Sequence, residues 1–149
     1  MQKNFTAQQF KATKFETAQA KATFANHFIR FVLSGFKITI FPHWFYQRLS
    51  MCFGHIAHYN RDGFYSTWVS GTERQREFFR NILNYPCYGD PEYTYSDVEK
   101  ELKAYVQREG LFEKYRALAA KEDVEKELGE LSMLMRKYPR QAKAFNVLL

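Results

Sequence analysis

The sequence is poor in the residues that break or cross-link a chain, with 7 Gly, 4 Pro and 2 Cys among 149 residues. So few glycines and prolines exclude collagen-like and low-complexity proteins. The two cysteines, Cys52 and Cys87, are far fewer than a small disulfide-stabilised secreted scaffold needs. This cysteine content favours a reducing compartment, and we expect a cytoplasmic protein.

Long apolar runs are also missing. The longest, residues 28–36, is interrupted by Arg30 and falls well short of the roughly 18 apolar residues that span a bilayer. We therefore expect no membrane partner. The sequence also has no glycine-rich phosphate loop and no convincing helix-turn-helix spacing, so no motif fixes a reaction, and we expect no cofactor.

Aromatic and basic residues are abundant, and both are concentrated in the same part of the chain. Residues 1–90 hold 20 of the 27 aromatic side chains, all four histidines, and 11 Lys/Arg against 5 Asp/Glu. Residues 91–149 hold 11 charges of each sign, so the net charge of +6 belongs entirely to the first part. A local positive excess attracts anionic partners such as nucleic acid or an acidic protein surface.

The chain divides into a flexible basic arm, residues 1–14, and a single α-helical domain, residues 15–149. Within the domain we distinguish a basic aromatic part, 15–90, from a charge-balanced helical part, 91–149. Evenly spaced phenylalanines in and after the arm are candidates to fix it onto the domain: Phe5, Phe10 and Phe15.

Apolar residues recur at spacings of three and four along most of the domain, as one buried face of a helix requires. We predict a mainly α fold, a compact bundle of about five to six helices. The pattern predicts helices over 16–33, 42–59, 72–84 and from 96 onward, with a break near Gly110 and an apolar seam over 124–138 that ends at Pro139.

Two short segments, 36–41 and 64–69, leave open one short β segment or hairpin. The first alternates apolar and polar residues, and the second is rich in β-branched and aromatic residues. The residues between Asn60 and Gly63 predict a turn ahead of the second segment.

The predicted helix 42–59 has two stripes on a helical wheel. One is an ordinary apolar stripe that predicts core residues. The neighbouring stripe mixes cations, protonatable rings and stacking planes: Trp44, Arg48, Met51, His55, His58 and Tyr59. Nucleobases stack on aromatic faces while Arg and Lys follow phosphates, so this stripe suits a single-stranded nucleic acid. The alternative is a helix buried on two sides, with its histidines hydrogen-bonded.

Further cations extend the candidate surface. Arg76 and Arg80 follow Glu73 and Glu77 by three residues and are expected to pair with them, whereas Arg74 is not. The candidate residues for nucleic-acid or partner binding are Lys37, His43, Trp44, Arg48, His55, His58, Tyr59, Arg61 and Arg74.

The spacing of Cys52, His55 and His58 raises the question of a metal site. Successive i, i+3 positions of a helix fan across about 120°, which strains three ligands on one ion. We therefore expect no metal, and interpret Cys52 as a small buried side chain.

His55 or His58 could also act as a general base in a hydrolase or nuclease. Such a base needs a carboxylate to orient it, and the nearest, Asp62, has a sufficient reason to lie in a turn. We therefore assign no catalytic residue and favour a non-enzymatic role.

Three functions remain, in order of preference. The first is a small nucleic-acid-binding protein using residues 37–80, with single strands or RNA slightly favoured over duplexes. The second is an interaction module, an adaptor or inhibitor that docks on an acidic surface of a nucleic-acid-handling complex. The third is the hydrolase. The seam 124–138 additionally allows an oligomer.

Overall fold

The computed structural model describes residues 5–53, 60–84 and 89–148, with side chains as far as Ala144. Helices dominate this part of the chain, and the residues described contain no β-strand. The mainly α prediction is therefore confirmed. The helices are α1 (Ala18–Leu33), α2 (His43–Cys52), α3 (Arg61–Trp68), α4 (Thr72–Asn84), α5 (Ser96–Arg108), α6 (Leu111–Lys137) and α7 (Pro139–Leu148).

The β interpretation of residues 36–41 is wrong. Phe36 takes a left-handed conformation, with φ of 62°, directly after Gly35 at φ 80°. A 3-10 helix then runs over Ile38–Ile40. Its backbone is satisfied locally, because the Phe41 N–H donates to the Ile38 carbonyl at 3.1 Å. The segment needs no partner strand, and its alternation arises because a tight turn buries Phe36 and Phe41 while leaving Ile38 exposed.

Two further predictions are wrong for a single reason: the turn over residues 60–63 and the β segment over 64–69. Asn60 is the N-cap of α3, and its side-chain oxygen accepts a hydrogen bond from the Gly63 N–H at 2.6 Å. Asp62 adds a negative charge in the first turn, where the helix dipole favours it. The same residue types that form turns also start helices, and here they start one.

The core of the bundle is aromatic. Twelve of the fourteen phenylalanines whose side chains the structure describes are buried, at 7% exposure or less. Phe31 lies among three of them, with ring centroids 5.2 Å from Phe36, 5.1 Å from Phe41 and 5.3 Å from Phe45. Most of the aromatic surplus of this sequence therefore fills the core and presents no ring to solvent.

Residues from the predicted arm pack on the domain. Phe5 and Phe10 are buried, with their ring centroids 5.8 Å apart. The Asn26 side chain of α1 accepts from the Phe5 N–H at 2.7 Å and donates to the Phe5 carbonyl at 2.9 Å. The Lys11 N–H donates to Asp97 at the start of α5, at 2.9 Å.

Helix α6 belongs to the bundle for only part of its length. Gly110, at φ 59°, separates α5 from α6, and Tyr138 ends α6 before Pro139, as predicted. The first half of α6 packs on α4 and α5. Burial on α6 ends at Ala119, and from Ala120 to Gln141 every residue is exposed. The second half therefore projects away from the core.

None of the helices in the described residues combines the length and apolar content that crossing a membrane requires.

Candidate nucleic-acid interface

Two of the predicted binding residues, Trp44 and Arg48, share the outer face of α2, and a third, His43, precedes them at the start of the helix. His43 is exposed and Trp44 keeps 37% of its surface accessible, whereas Arg48 is half-buried one turn later. The Arg48 guanidinium donates to the Trp44 carbonyl at 3.3 Å. The i, i+4 spacing places the indole and the guanidinium on one face of the helix.

An open groove of about 330 Å³ lies between this face and the start of α1. It is lined by Thr17, Gln19, Ala20 and Thr23 of α1 and by Trp44 and Arg48 of α2. The α1 residues were absent from the predicted site. The polar stripe of Gln19 and Thr23, beside the apolar face of α1, is the signal that could have identified them.

The ring of His27 packs against the indole of Trp44. Its ring centroid lies 4.9 Å from that of Trp44, at an interplanar angle of 63°. Its Nε2–H donates to the Ile40 carbonyl at 2.8 Å. Burial lowers the pKa of His27 below its usual 6.5, helped by the nearby Arg30 charge and opposed by the hydrogen bond to Ile40. The ring is therefore neutral at neutral pH and positions Trp44 without adding charge.

Arg48 is less available than the sequence suggests. Its Nη2 lies 2.8 Å from Oε1 of Glu16, and this carboxylate also accepts a hydrogen bond from the Tyr95 hydroxyl. Burial and the neighbouring Glu16 raise the pKa of Tyr95 well above its usual value, so the hydroxyl remains a donor. A phosphate at the groove would compete with Glu16 for this guanidinium.

Arg61 makes structural contacts within the domain. Its Nη1 donates to the Phe41 carbonyl at 3.0 Å, and its guanidinium lies over the Phe41 ring. Nη2 is 3.2 Å from Oδ1 of Asp62. These contacts tie the start of α3 to the turn before α2, and Arg61 does not line the groove.

Other cations remain unopposed. Ion pairs engage four carboxylates of the basic part with arginines: Glu16, Asp62, Glu73 and Glu77. Within the described residues, Arg30, Lys37 and Arg74 have no such partner, and all three are exposed. None of the three is among the groove residues. The positive excess thus survives internal pairing, but these unpaired cations lie outside the groove lining.

Three predicted residues, His55, His58 and Tyr59, lie outside the described residues, as does Cys87. The hydrolase hypothesis therefore stays a prediction. Cys52 is buried, as predicted. Among the residues described, no three His, Cys, Asp or Glu side chains are grouped to hold a metal ion.

The fold and this surface define a small mainly α protein with an open groove between α1 and α2 and a projecting helix. No protein family, curated protein or solved structure matches the chain in comparison.

Proposed function

We propose that this chain is a small non-enzymatic nucleic-acid-binding protein that uses the groove between α1 and α2. The observation that carries the proposal is the exposed face of Trp44 beside Arg48, in a part of the chain where Arg30 and Lys37 have no carboxylate partner. An aromatic face next to cations accommodates an unstacked base and its phosphates, which favours RNA or single-stranded DNA over duplexes.

The proposed site is narrower than the sequence suggests. Because most aromatic rings fill the core, the groove offers Trp44 as a stacking plane for about one base. If Arg30, Lys37 and Arg74 all contact phosphates, the slope of log K against log salt for a single strand is about −2. We therefore expect weak, salt-dependent binding without strong sequence preference.

Fluorescence anisotropy with labelled single-stranded RNA, single-stranded DNA and duplex DNA, at two salt concentrations, tests the proposal. Trp44→Ala should weaken single-strand binding by about tenfold, within the 1–3 kcal/mol that stacking one base contributes. Phe15→Ala is the matched control, since Phe15 is also an exposed aromatic side chain, at 86%.

The cations have a matched control as well. Arg30→Ala should reduce affinity and flatten the salt dependence, whereas Arg80→Ala should change little because Arg80 pairs with Glu77 at 3.3 Å. Absence of binding to every nucleic acid at low salt would contradict the proposal. Equal binding by wild type and Trp44→Ala would remove the groove from it.

The second candidate function is an interaction module that docks on an acidic protein surface. The unopposed Arg30 and Lys37 favour it, because exposed cations steer association with acidic partners. Binding to immobilised polyglutamate, lost in an Arg30→Glu, Lys37→Glu variant while no nucleic acid binds, would favour this function. For either function we propose a cytoplasmic location, which the low cysteine content of the sequence supports.

A further inference from the structure

The projecting half of α6 carries an apolar seam that nothing in the described residues covers. Each seam residue keeps between 38% and 59% of its surface exposed. The seam residues are Val124, Leu128, Leu131, Met135 and Tyr138. They alternate at spacings of four and three, and on a helical wheel they fall within about 80° of arc. Leu134, at 54% exposure, widens the stripe on one side.

A seam of this kind is costly to leave in water. At about half exposure, the seam and Leu134 present on the order of 600 Å² per copy, so two copies could bury about 1,200 Å² together, the lower bound of stable specific interfaces. The spacing of four and three is the pattern by which two helices interlock as a coiled coil. The area and the spacing thus match a second helix of the same kind.

The charges along α6 indicate which helix fits and in which direction. Residues 121–130 hold five carboxylates and two lysines, a net charge of −3. The end of α6 is basic, with Arg136 and Lys137, and the next helix, α7, adds Arg140 and Lys143 and has no carboxylate. Parallel pairing of two copies would align like charges, whereas antiparallel pairing aligns the acidic segment of each copy with the basic segment of the other.

We propose that two copies of this chain pair antiparallel through the seam of α6. The register that best matches both the apolar seam and the charge pattern places Leu131 of one copy against Met135 of the other, and Leu128 against Tyr138. It also places Glu130 of one copy opposite Arg136 of the other. The groove between α1 and α2 takes no part, so dimerisation is independent of nucleic-acid binding.

Sedimentation equilibrium of the full chain tests the pairing. The wild type should have twice the monomer mass of 17.8 kDa at micromolar concentrations. Leu128→Lys combined with Leu131→Lys should be monomeric. Met133→Lys, which changes a 69% exposed residue on the opposite side of the same helix, should remain dimeric. Circular dichroism should show unchanged helix content, since both sites are exposed.

Charge reversal tests the direction. Glu127→Lys with Glu130→Lys should raise the dissociation constant at least tenfold if the pairing is antiparallel. The same variant should strengthen a parallel dimer, because it would relieve repulsion between two acidic segments.

Cysteine cross-linking tests the register, in a Cys87→Ser background with Cys52 buried. A mixture of Leu128→Cys and Tyr138→Cys chains should form the mixed disulfide, and Leu128→Cys alone should not link to itself. Any one of three results would overturn the proposal. The wild type is monomeric, Met133→Lys disrupts the dimer as much as Leu128→Lys with Leu131→Lys does, or Leu128→Cys links to itself.

Discussion

The ammonium of Lys21, which has no exposed surface, lies 2.9 Å from Oδ1 of Asp97 and 2.8 Å from the Pro91 carbonyl. These contacts join α1 in the basic part to the start of α5 in the charge-balanced part. Asp97 also accepts the Lys11 N–H, so the same carboxylate holds the N-terminal segment. A single buried ion pair therefore fixes three segments that lie far apart in sequence.

Removing one member of this pair should destabilise the fold strongly. Asp97→Ala leaves the Lys21 ammonium buried without a counter-charge, and we expect the free energy of unfolding to fall by about 3–5 kcal/mol in urea titrations. Glu92→Ala is the control, because the Glu92 and Lys11 side chains, 3.0 Å apart, are half exposed, at 49% and 56%. It should cost about 1 kcal/mol or less. Equal losses in the two variants would contradict the structural role of the buried pair.

The lowered pKa of His27 predicts a loss of stability in mild acid. Burial is the main cause, so below pH 6.5 the unfolded chain takes up this proton before the folded chain does. The resulting loss of stability is absent above pH 6.5 and grows as the pH falls toward the lowered pKa of His27 in the folded chain. His27→Gln should lose less stability than wild type between about pH 7 and about pH 5. His43→Gln, which replaces an exposed histidine, is the control. An NMR titration that places the pKa of His27 above 6.5 would refute the prediction.

Two glycines beside and within α6 should respond to alanine in opposite directions. Gly110 sits at φ 59°, where a side chain is disfavoured, so Gly110→Ala should cost about 1–2 kcal/mol. Gly129 lies inside the exposed part of α6, with no atom within 4 Å of an added Cβ. Gly129→Ala should stabilise that helix by about 0.5–1 kcal/mol. Thermal unfolding followed by circular dichroism measures both, and a shift of the same sign in both variants would contradict the backbone argument.

Phenylalanines should separate into core and surface residues on mutation. Phe36 is 1% exposed, and its ring centroid lies 5.6 Å from Phe79 and 5.7 Å from Tyr115. Phe36→Ala should cost about 3–5 kcal/mol in denaturant unfolding. Phe15→Ala should change stability by less than about 0.5 kcal/mol, because Phe15 is exposed. A small effect at Phe36 would contradict its assignment to the core.

Sequence patterns predicted the long helices well, because a repeat of three and four over many residues reports a buried face directly. Predicted helices 16–33 and 72–84 match α1 and α4 closely. The same logic failed over residues 36–41 and 60–69, where short apolar segments fit a strand, a turn or a helix equally well. There the outcome depended on local hydrogen bonds, such as Asn60 capping α3.

The candidate site was predictable only in part. The exposed Trp44 follows from the wheel of α2, but the pairing of Arg48 with Glu16 depends on how the residues before α1 pack against α2. The polar residues of α1 that complete the groove were visible in the sequence as a stripe, yet nothing local indicates that α2 lies beside them.

By itself, the sequence determined the mainly α class, the positive excess of residues 1–90, the break at Gly110 and the seam of α6, since each depends on composition or on residues within a few turns. The tertiary structure alone decided which aromatic rings face water and which cations stay unpaired. Those outcomes depend on contacts between distant segments, as between Lys21 and Asp97, 76 residues apart. No local pattern encodes which carboxylate a buried cation will meet.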